Sequence, residues 1–306
     1  MTVKIINGDC RDVLKTLPSQ SVHCCVTSPP YFGLRDYGHN GQMGLEPTPE
    51  EFVFELVSVL REVRRVLRDD GTLWLNIGDS YAGGGKGPAG NLGKKHNERH
   101  MEHTKASGFV PHGCKPKDLI GIPWMVAFAL RADGWYLRQD IIWHKPNPMP
   151  ESVTDRCTKA HEYIFLLSKS ERYYFDHEVI KEDGVIPAGT KGAKGSADRQ
   201  KQKGVNARPP EYKIYDGKRN KRSVWTVTTK PFKGAHFATF PPDLIEPCIL
   251  AGCPEGGTVL DPFGGSGTTG LVADLHKRNA LLIELNPDYI EIANKRVVVA
   301  IQDNLL

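Results

Sequence analysis

Residues 257–285 contain the pattern that most restricts the fold of this chain. They run through a predicted strand, GTVLD, a glycine-rich loop, PFGGSG, a helix, and a second strand, ALLIEL. Gly265, Gly267 and Gly270 have GxGxxG spacing, and Glu284 lies near the end of the second strand. Such glycines let a ligand approach a helix N terminus, and a carboxylate at the next strand's end accepts hydrogen bonds from ribose hydroxyls. The pattern predicts a site for an adenosine-containing cofactor, either a dinucleotide or S-adenosylmethionine.

Asp261 lies at the tip of the first of these strands, directly ahead of the loop. A carboxylate there repels a pyrophosphate, whereas it attracts the positively charged amino end of a methionine moiety, directly or through water. The residue therefore favours S-adenosylmethionine over a dinucleotide.

The rest of the chain alternates predicted strands with predicted helices. Residues 49–71 carry apolar side chains at three- and four-residue spacing, which predicts an amphipathic helix that stops at Gly71. Residues 161–170 and 173–176 are interpreted as the two strands of a hairpin. Strands that alternate with helices of this length predict crossover connections and a mostly parallel sheet.

Two stretches interrupt this alternation. Residues 83–117 are rich in glycine and poor in apolar side chains, which is typical of a surface loop. Residues 186–222 hold 11 Lys or Arg against 3 Asp or Glu, a local charge of +8 in a chain whose net charge is only +4. The positive charge is thus concentrated in one polar insert. We expect one catalytic domain formed by residues 1–180 and 226–306, with a basic insert at 181–225.

Composition indicates a soluble protein of the cytoplasm. The chain is 39% hydrophobic and 25% charged, and it holds no apolar run long enough to cross a membrane. Its N-terminal residues lack the layout of a secretory signal. The seven cysteines include no C-x-x-C pair, so we expect reduced, mostly buried thiols.

A second motif, TSPPY, follows the apolar strand of residues 22–26. An exocyclic amino group of a nucleobase is planar and a poor nucleophile until two acceptors engage its hydrogens. The Ser28 hydroxyl and the Pro29 carbonyl supply two such acceptors, and the double proline with Pro30 holds them rigidly. Tyr31 provides a face for a base that has been flipped out of a duplex. The motif therefore predicts methylation of a base amine.

The two motifs together resemble those of the DNA amino-methyltransferases, bacterial and phage enzymes that use S-adenosylmethionine. TSPPY is similar to their catalytic motif and DPFGGSGT to their cofactor motif, and IELNPDYIEIANKR resembles the strand and helix that follow. HFATFPPDLIEPCI, residues 236–249, is similar to the segment that closes over the methionine end of the cofactor, and NGDC resembles an acidic turn near the adenine. The order of the motifs is similar to the beta-type arrangement.

The resemblance implies a Rossmann-like α/β methyltransferase fold, with a mostly parallel seven-stranded sheet, helices on both faces and a basic target-recognition insert. It implies direct transfer of the methyl group to an amine in double-stranded DNA, without a metal, and it leaves open a homodimer. The implied catalytic residues are Ser28, Pro29, Pro30 and Tyr31. The implied cofactor-binding residues are Asp9, Cys10, Phe237, Ala238, Phe240, Asp261, Phe263, Gly265, Gly267, Thr268 and Glu284. The implied DNA-binding residues are Lys191, Lys194, Arg199, Lys201, Lys203, Arg208, Lys218, Arg219, Lys221 and Arg222.

The target base is less constrained. In the family, Ser at the first position of the motif is commoner for the 4-amino group of cytosine, and Asp or Asn for the 6-amino group of adenine. Ser28 therefore favours cytosine and leaves adenine as the alternative. More distant alternatives are a non-catalytic DNA-binding protein with a relic cofactor fold, and methylation of RNA or of a protein glutamine.

Two other features invite different chemistry. His96, His100 and His103 have an H-x3-H-x2-H spacing, which is weaker than a paired C-x-x-C site, and we interpret them as part of a solvated loop rather than a metal site. Cys248 suggests a nucleophile for methylation at carbon 5 of a pyrimidine. It lies within an apolar helical pattern, which predicts a buried packing residue.

Overall fold

A computed structural model describes residues 1–34, 41–83, 110–191, 214–230 and 240–303 of the chain. The chain divides into two compact units. The first comprises Met1–Phe175 and Ser223–Leu306, and the second comprises Asp176–Arg222. The second unit thus overlaps the expected insert at 181–225.

The described residues form ten strands and six helices. The strands are β1 (Val3–Asn7), β2 (Val22–Thr27), β3 (Leu67–Ile77), β4 (Tyr136–His144), β5 (His161–Ser168), β6 (Glu182–Asp183), β7 (Lys218–Arg219), β8 (Val224–Thr226), β9 (Thr258–Asp261) and β10 (Asn279–Glu284). The helices are α1 (Cys10–Thr16), α2 (Pro49–Val66), α3 (Ile122–Ala132), α4 (Pro242–Gly252), α5 (Thr268–Leu275) and α6 (Pro287–Asp303). Because β6 and β7 pair only with each other, they form a small antiparallel ladder in the second unit.

The first unit is built on one sheet with the strand order β1-β10-β9-β2-β3-β5-β4-β8. All neighbours are parallel except at β5, which is antiparallel to both β3 and β4. The mostly parallel sheet is confirmed, but it has eight strands rather than seven because the three-residue β8 adds to the edge at β4.

Helices cover both faces of the sheet, as expected. Leu73 and Leu75 of β3 belong to a buried cluster with residues of α1, α2 and α3. The alternate residue Trp74 points to the other face, where a Cβ on Gly252 of α4 would lie 2.6 Å from its indole nitrogen. This position therefore requires glycine.

Helix α2 confirms the amphipathic pattern but ends earlier than predicted. The Thr48 hydroxyl accepts a hydrogen bond from the Glu51 amide at 3.2 Å and caps the helix, which ends at Val66. Gly71 lies inside β3, where a Cβ would be 3.1 Å from the His23 carbonyl oxygen. This glycine permits a close approach of two strands at an irregularity in their register, rather than stopping the helix.

The predicted hairpin of residues 161–170 and 173–176 is wrong. Strand β5 pairs with β3 and β4, and residues 173–176 form no strand. Phe175 instead stacks on Trp74, with ring centroids 6.1 Å apart. An aromatic residue that suggested a strand thus packs on the face of the sheet.

No helix in the described ranges is long and apolar enough to cross a membrane.

Candidate active site

One edge of the sheet gathers the residues that the two motifs single out. The parallel strands β1, β10, β9, β2 and β3 all end there, and the antiparallel β5 begins there. The TSPPY loop follows β2, and the glycine loop follows β9, its neighbour in the sheet. The fold therefore brings together two motifs that are more than 230 residues apart in the chain.

The proline loop leaves β2 with its four residues in different surroundings. Pro29 is buried, whereas Ser28, Pro30 and Tyr31 are partly exposed. Across the part of the chain that is described, the Ser28 hydroxyl has no hydrogen-bond partner. The predicted contact of this hydroxyl with a base amine stays a prediction.

A polar network holds the end of the Tyr31 side chain. Its hydroxyl donates a hydrogen bond to Glu162 Oε2 at 2.7 Å and lies 3.4 Å from Asn76 Oδ1. Lys145 forms an ion pair with the other carboxylate oxygen of Glu162. Gly78 lies against the ring, because a Cβ there would be 2.6 Å from Tyr31 Cε2.

Asp261 joins the proline loop to the glycine loop. Its Oδ1 accepts hydrogen bonds from the Thr27 hydroxyl at 2.6 Å and the Phe263 amide at 3.1 Å, and its Oδ2 accepts one from the Thr269 hydroxyl at 2.6 Å. The side chain is 1% exposed. The contact with a cofactor that the sequence suggests, directly or through water, remains a prediction. Burial raises the pKa of Asp261 to about 6, although these hydrogen bonds oppose the rise.

The raised pKa predicts a pH dependence of stability that Asp261→Asn removes. Since the pKa lies above its ordinary value of 3.8, the carboxyl's contribution to stability is full below that value and is lost as the pH rises through about 6. The difference corresponds to about 3 kcal/mol. We expect the free energy of unfolding of Asp261→Asn, relative to wild type, to rise by about 2.4 kcal/mol, most of that difference, between about pH 4 and about pH 7. Urea denaturation of both proteins at a series of pH values measures this change. A difference in free energy of unfolding that stayed constant with pH would contradict the prediction.

The glycine loop turns toward the N terminus of α5. The Gly265 amide donates to Glu284 Oε2 at 2.7 Å, which ties the loop to the end of β10. Gly267 has φ +79°, and a Cβ there would lie 2.8 Å from the Cβ of Ala293. Gly265 has φ +50°, and among the described residues a Cβ there would meet only the Phe263 carbonyl oxygen, at 3.9 Å. The loop therefore leaves open space above Gly265, as a cradle for a cofactor requires.

An arginine of the last helix forms hydrogen bonds with the same loop and with the start of α5. Arg296 of α6 donates hydrogen bonds to the hydroxyls of Thr268 at 2.8 Å and Ser266 at 3.1 Å. Thr268 is itself buried. Its hydroxyl thus contacts the protein, and its expected contact with a cofactor remains a prediction.

Of the five expected cofactor residues outside the glycine loop and its two flanking strands, three are described by the structure. Asp9 caps α1 and accepts hydrogen bonds from the Arg11 guanidinium at 2.5 to 3.1 Å. Burial alone would raise the pKa of Asp9, but the bonds from Arg11 outweigh it and lower the pKa. Cys10 is buried, which raises its pKa to about 12. Phe240 is partly exposed, whereas Phe237 and Ala238 lie outside the described residues.

The expected DNA-binding residues belong to the second unit. Lys218 pairs with Asp183 at 2.6 Å, and Arg219 and Arg222 share Glu182 at 2.8 and 2.6 Å. Lys191 and Lys221 are also among the described residues. The rest of that set lies outside them: Lys194, Arg199, Lys201, Lys203 and Arg208.

A pocket of about 340 Å³ opens at the same edge of the first unit, beside the start of β5. Lys159, His161 and Tyr163 line it together with Asp79, and none of the expected catalytic residues does. Burial lowers the pKa of Lys159, and the Lys159 ammonium donates to the Asp79 carbonyl at 3.1 Å.

The two alternative chemistries concern a metal site and a cysteine nucleophile. Among them, no group of three or more His, Cys, Asp or Glu side chains is arranged to hold a metal, and His96, His100 and His103 lie outside them. Cys248 is fully buried in α4, and its thiol lies 3.8 Å from the Leu244 carbonyl oxygen.

Sequence reasoning missed the residues that support the motifs: Asn76, Gly78, Lys145 and Glu162 around Tyr31, and Thr27, Thr269 and Arg296 around the glycine loop. A signal was present for two of them. Asn76 interrupts the apolar run of β3, and Glu162 stands at the start of the apolar run of β5. A polar residue at the end of a buried strand is a candidate for a site at the sheet edge.

Comparison with known proteins places this site in a family. The N6/N4 family of DNA methylases matches residues 22–295. The Type II methyltransferase M.Cfr9I of Citrobacter freundii is 50% identical over 293 residues, 96% of this chain and 87% of that protein. M.SmaI of Serratia marcescens, also a Type II methyltransferase, is 48% identical over 295 residues, 96% of this chain and 90% of that protein.

Two solved structures share the fold. The PvuII DNA methyltransferase, described as cytosine-N4-specific, has a TM-score of 0.64 at 19% identity, over 96% of this chain and 87% of that one. A putative DNA modification methylase of Thermus thermophilus, solved with S-adenosyl-L-methionine, has a TM-score of 0.60 at 24% identity, over 98% and 94%. With both motifs at one sheet edge and relatives of about half identical sequence, the chain belongs to the family of S-adenosylmethionine-dependent DNA amino-methyltransferases.

Proposed function

We propose that this enzyme methylates the 4-amino group of cytosine in double-stranded DNA, on a base flipped out of the duplex. The observation that carries the proposal is the junction at the sheet edge, where Asp261 hydrogen-bonds both to Thr27, directly before the proline loop, and to Phe263 of the glycine loop. The amine site and the donor site are thereby held side by side. Methylation of the adenine 6-amino group is the alternative.

The residues of the proline loop account for the chemistry. The Ser28 hydroxyl and the Pro29 carbonyl accept the two hydrogens of the amine, which frees the nitrogen lone pair for attack. Proline at positions 29 and 30 keeps both acceptors in place, so little conformational entropy is lost when the base binds. Tyr31 offers its ring as the stacking face.

The donor side fits S-adenosylmethionine. The open space above Gly265 and the carboxylate of Glu284 at the end of β10 form a cradle beside the proline loop. When bound there, S-adenosylmethionine supplies a methyl group already activated by its sulfonium. The protein then has to orient the amine in line with it, and orientation supplies much of the rate. Solvent takes the proton that the amine loses.

Ser28 is what favours cytosine. Its hydroxyl at the first motif position is the commoner choice for a cytosine amine, whereas the likeness to the PvuII enzyme, at 19% identity, concerns the fold alone. Mass spectrometry of nucleosides from DNA treated with the purified enzyme tests the proposal, with the Ser28→Ala variant as the control. We expect N4-methylcytosine, and 6-methyladenine as the only product would overturn the choice of base.

The basic second unit supports duplex DNA as the substrate. Lysines and arginines that contact phosphates make binding strongly dependent on salt, whatever the sequence. Methylation of a duplex in competition with single-stranded DNA and RNA tests this preference. A homodimer and a cytoplasmic location remain predictions, and equilibrium sedimentation addresses the first.

A further inference from the structure

A cluster of polar side chains from outside the two motifs surrounds the hydroxyl of Tyr31. Glu162 Oε2 accepts hydrogen bonds from the Tyr31 hydroxyl at 2.7 Å and from Asn76 Nδ2 at 3.3 Å, while Glu162 Oε1 pairs with the Lys145 ammonium. Asn76 Nδ2 also donates to the Tyr163 carbonyl at 3.0 Å. The side chains of Glu162 and Lys145 are only 16% and 18% exposed.

A contribution to the stability of the fold does not explain this cluster well. Strands β3 and β5 are already joined by a ladder of six residue pairs, from Thr72–Ser168 to Ile77–Tyr163. A half-buried ion pair gains little net stability, because desolvation of the charges offsets their attraction. Tyr31, by contrast, lies in a loop, and the cluster fixes the far end of its side chain.

Tyr31 meets two glycines, one at its ring and one at its backbone. Gly78 leaves just enough room for the ring, since any Cβ there would overlap Cε2 at 2.6 Å. On the backbone side, a Cβ on Gly44 would lie 3.0 Å from the Tyr31 carbonyl oxygen. The side chain is thus restrained at its hydroxyl by Glu162 and along its ring by Gly78, while Gly44 packs against the backbone.

We propose that Glu162 is a positioning residue for methyl transfer, which holds the Tyr31 ring at the angle where a flipped base stacks with its amine at Ser28 and the Pro29 carbonyl. Lys145 keeps the Glu162 carboxylate in place. The inference rests on the proposed function, because it takes Tyr31 as the stacking face. A ring fixed in advance aligns the base without losing side-chain entropy on binding.

Glu162→Ala and Glu162→Gln test this role. We expect Glu162→Ala to lower kcat by tenfold to about 100-fold, because a misplaced base reacts more slowly, and to leave the affinity for S-adenosylmethionine unchanged. Glu162→Gln keeps an acceptor for the Tyr31 hydroxyl and should restore kcat to within about threefold of wild type. A duplex with 2-aminopurine at the target position reports flipping, and its fluorescence should differ between Glu162→Ala and wild type when the enzyme binds.

Glu151→Ala is the matched control. Glu151 also pairs with a cation in a half-buried setting, Arg156 at 2.6 Å, in the loop between β4 and β5, but it does not contact Tyr31. We expect Glu151→Ala to keep kcat and the fluorescence of wild type. A Glu162→Ala variant that matched it in both readouts would overturn the proposal.

Substitutions of Tyr31 separate failure of this inference from failure of the proposed function. Tyr31→Phe keeps the ring and removes the hydroxyl, so it should match Glu162→Ala, and the double variant should be no slower than either single one. If the loss of kcat in the double variant equalled the product of the two single losses, Tyr31 and Glu162 would act independently and the proposed coupling would be refuted. This outcome applies even if Glu162→Ala alone folds poorly. Should Tyr31→Ala keep full activity, the stacking role itself is wrong. An inactive Tyr31→Ala beside a fully active Tyr31→Phe overturns only the role of Glu162.

Discussion

Replacing Ser28 by alanine is expected to lower kcat by about 100-fold or more, the usual loss when one hydrogen-bonding group that acts on the transition state is removed. The hydroxyl has no hydrogen-bond partner within the described ranges, so its loss leaves no group of those residues unsatisfied. Stability and affinity for S-adenosylmethionine should therefore stay near those of wild type. Single-turnover methylation of a duplex, with thermal denaturation of the same sample, measures the effect.

Ser21→Ala is the matched control for this prediction. Ser21 lies just before β2, at the end opposite Ser28, and its hydroxyl donates to the Pro18 carbonyl at 2.8 Å. The same atom is removed at both ends of one strand, but only one end carries the predicted amine site. Equal activities for the two variants would show that Ser28 does not act on the amine.

Local periodicity predicted the elements of the first unit well. Helix α2 and the strand–loop–helix of residues 258–275 follow directly from apolar spacing and glycine positions. These patterns reflect burial of one face of one element, which sequence neighbours determine. The errors occurred where contacts with residues distant in sequence determine the structure. Gly71 accommodates β2, and Phe175 stacks on Trp74 of the sheet instead of forming a strand that pairs with β5.

For the site, too, the sequence predicted what lies in local motifs and missed what depends on residues distant in the chain. The motifs identified Ser28 and the glycine loop, because each is a run of adjacent residues with its own chemistry. The side chains that hold the motifs come from elsewhere, as the Thr27–Asp261 bond joins residues 234 apart and the Tyr31–Glu162 bond joins residues 131 apart. Such contacts depend on strand order, which no local pattern specifies.

Two glycines near the two ends of one strand provide the most direct test of the cofactor cradle. Gly265 and Gly256 flank β9 at its two ends, with φ +50° and +75°. Among the residues with described positions, a Cβ would meet nothing within 4 Å at Gly256, and at Gly265 only one carbonyl oxygen at ordinary contact distance. Alanine at either position thus incurs a similar backbone strain, about 1 to 2 kcal/mol, and neither methyl group overlaps that part of the protein.

Only at Gly265 does the new methyl group enter the space assigned to S-adenosylmethionine. We expect Gly265→Ala to raise the Kd for S-adenosylmethionine about 100-fold, or about 2.7 kcal/mol, and Gly256→Ala to leave it unchanged. Titration calorimetry measures both, and thermal denaturation should show similar losses of stability. If the two variants bound the cofactor equally well, the ligand would have to lie away from the glycine loop, and the in-line geometry with Ser28 would fail with it. Because strain is matched between the two positions, a difference in affinity reports contact with the cofactor and not damage to the fold.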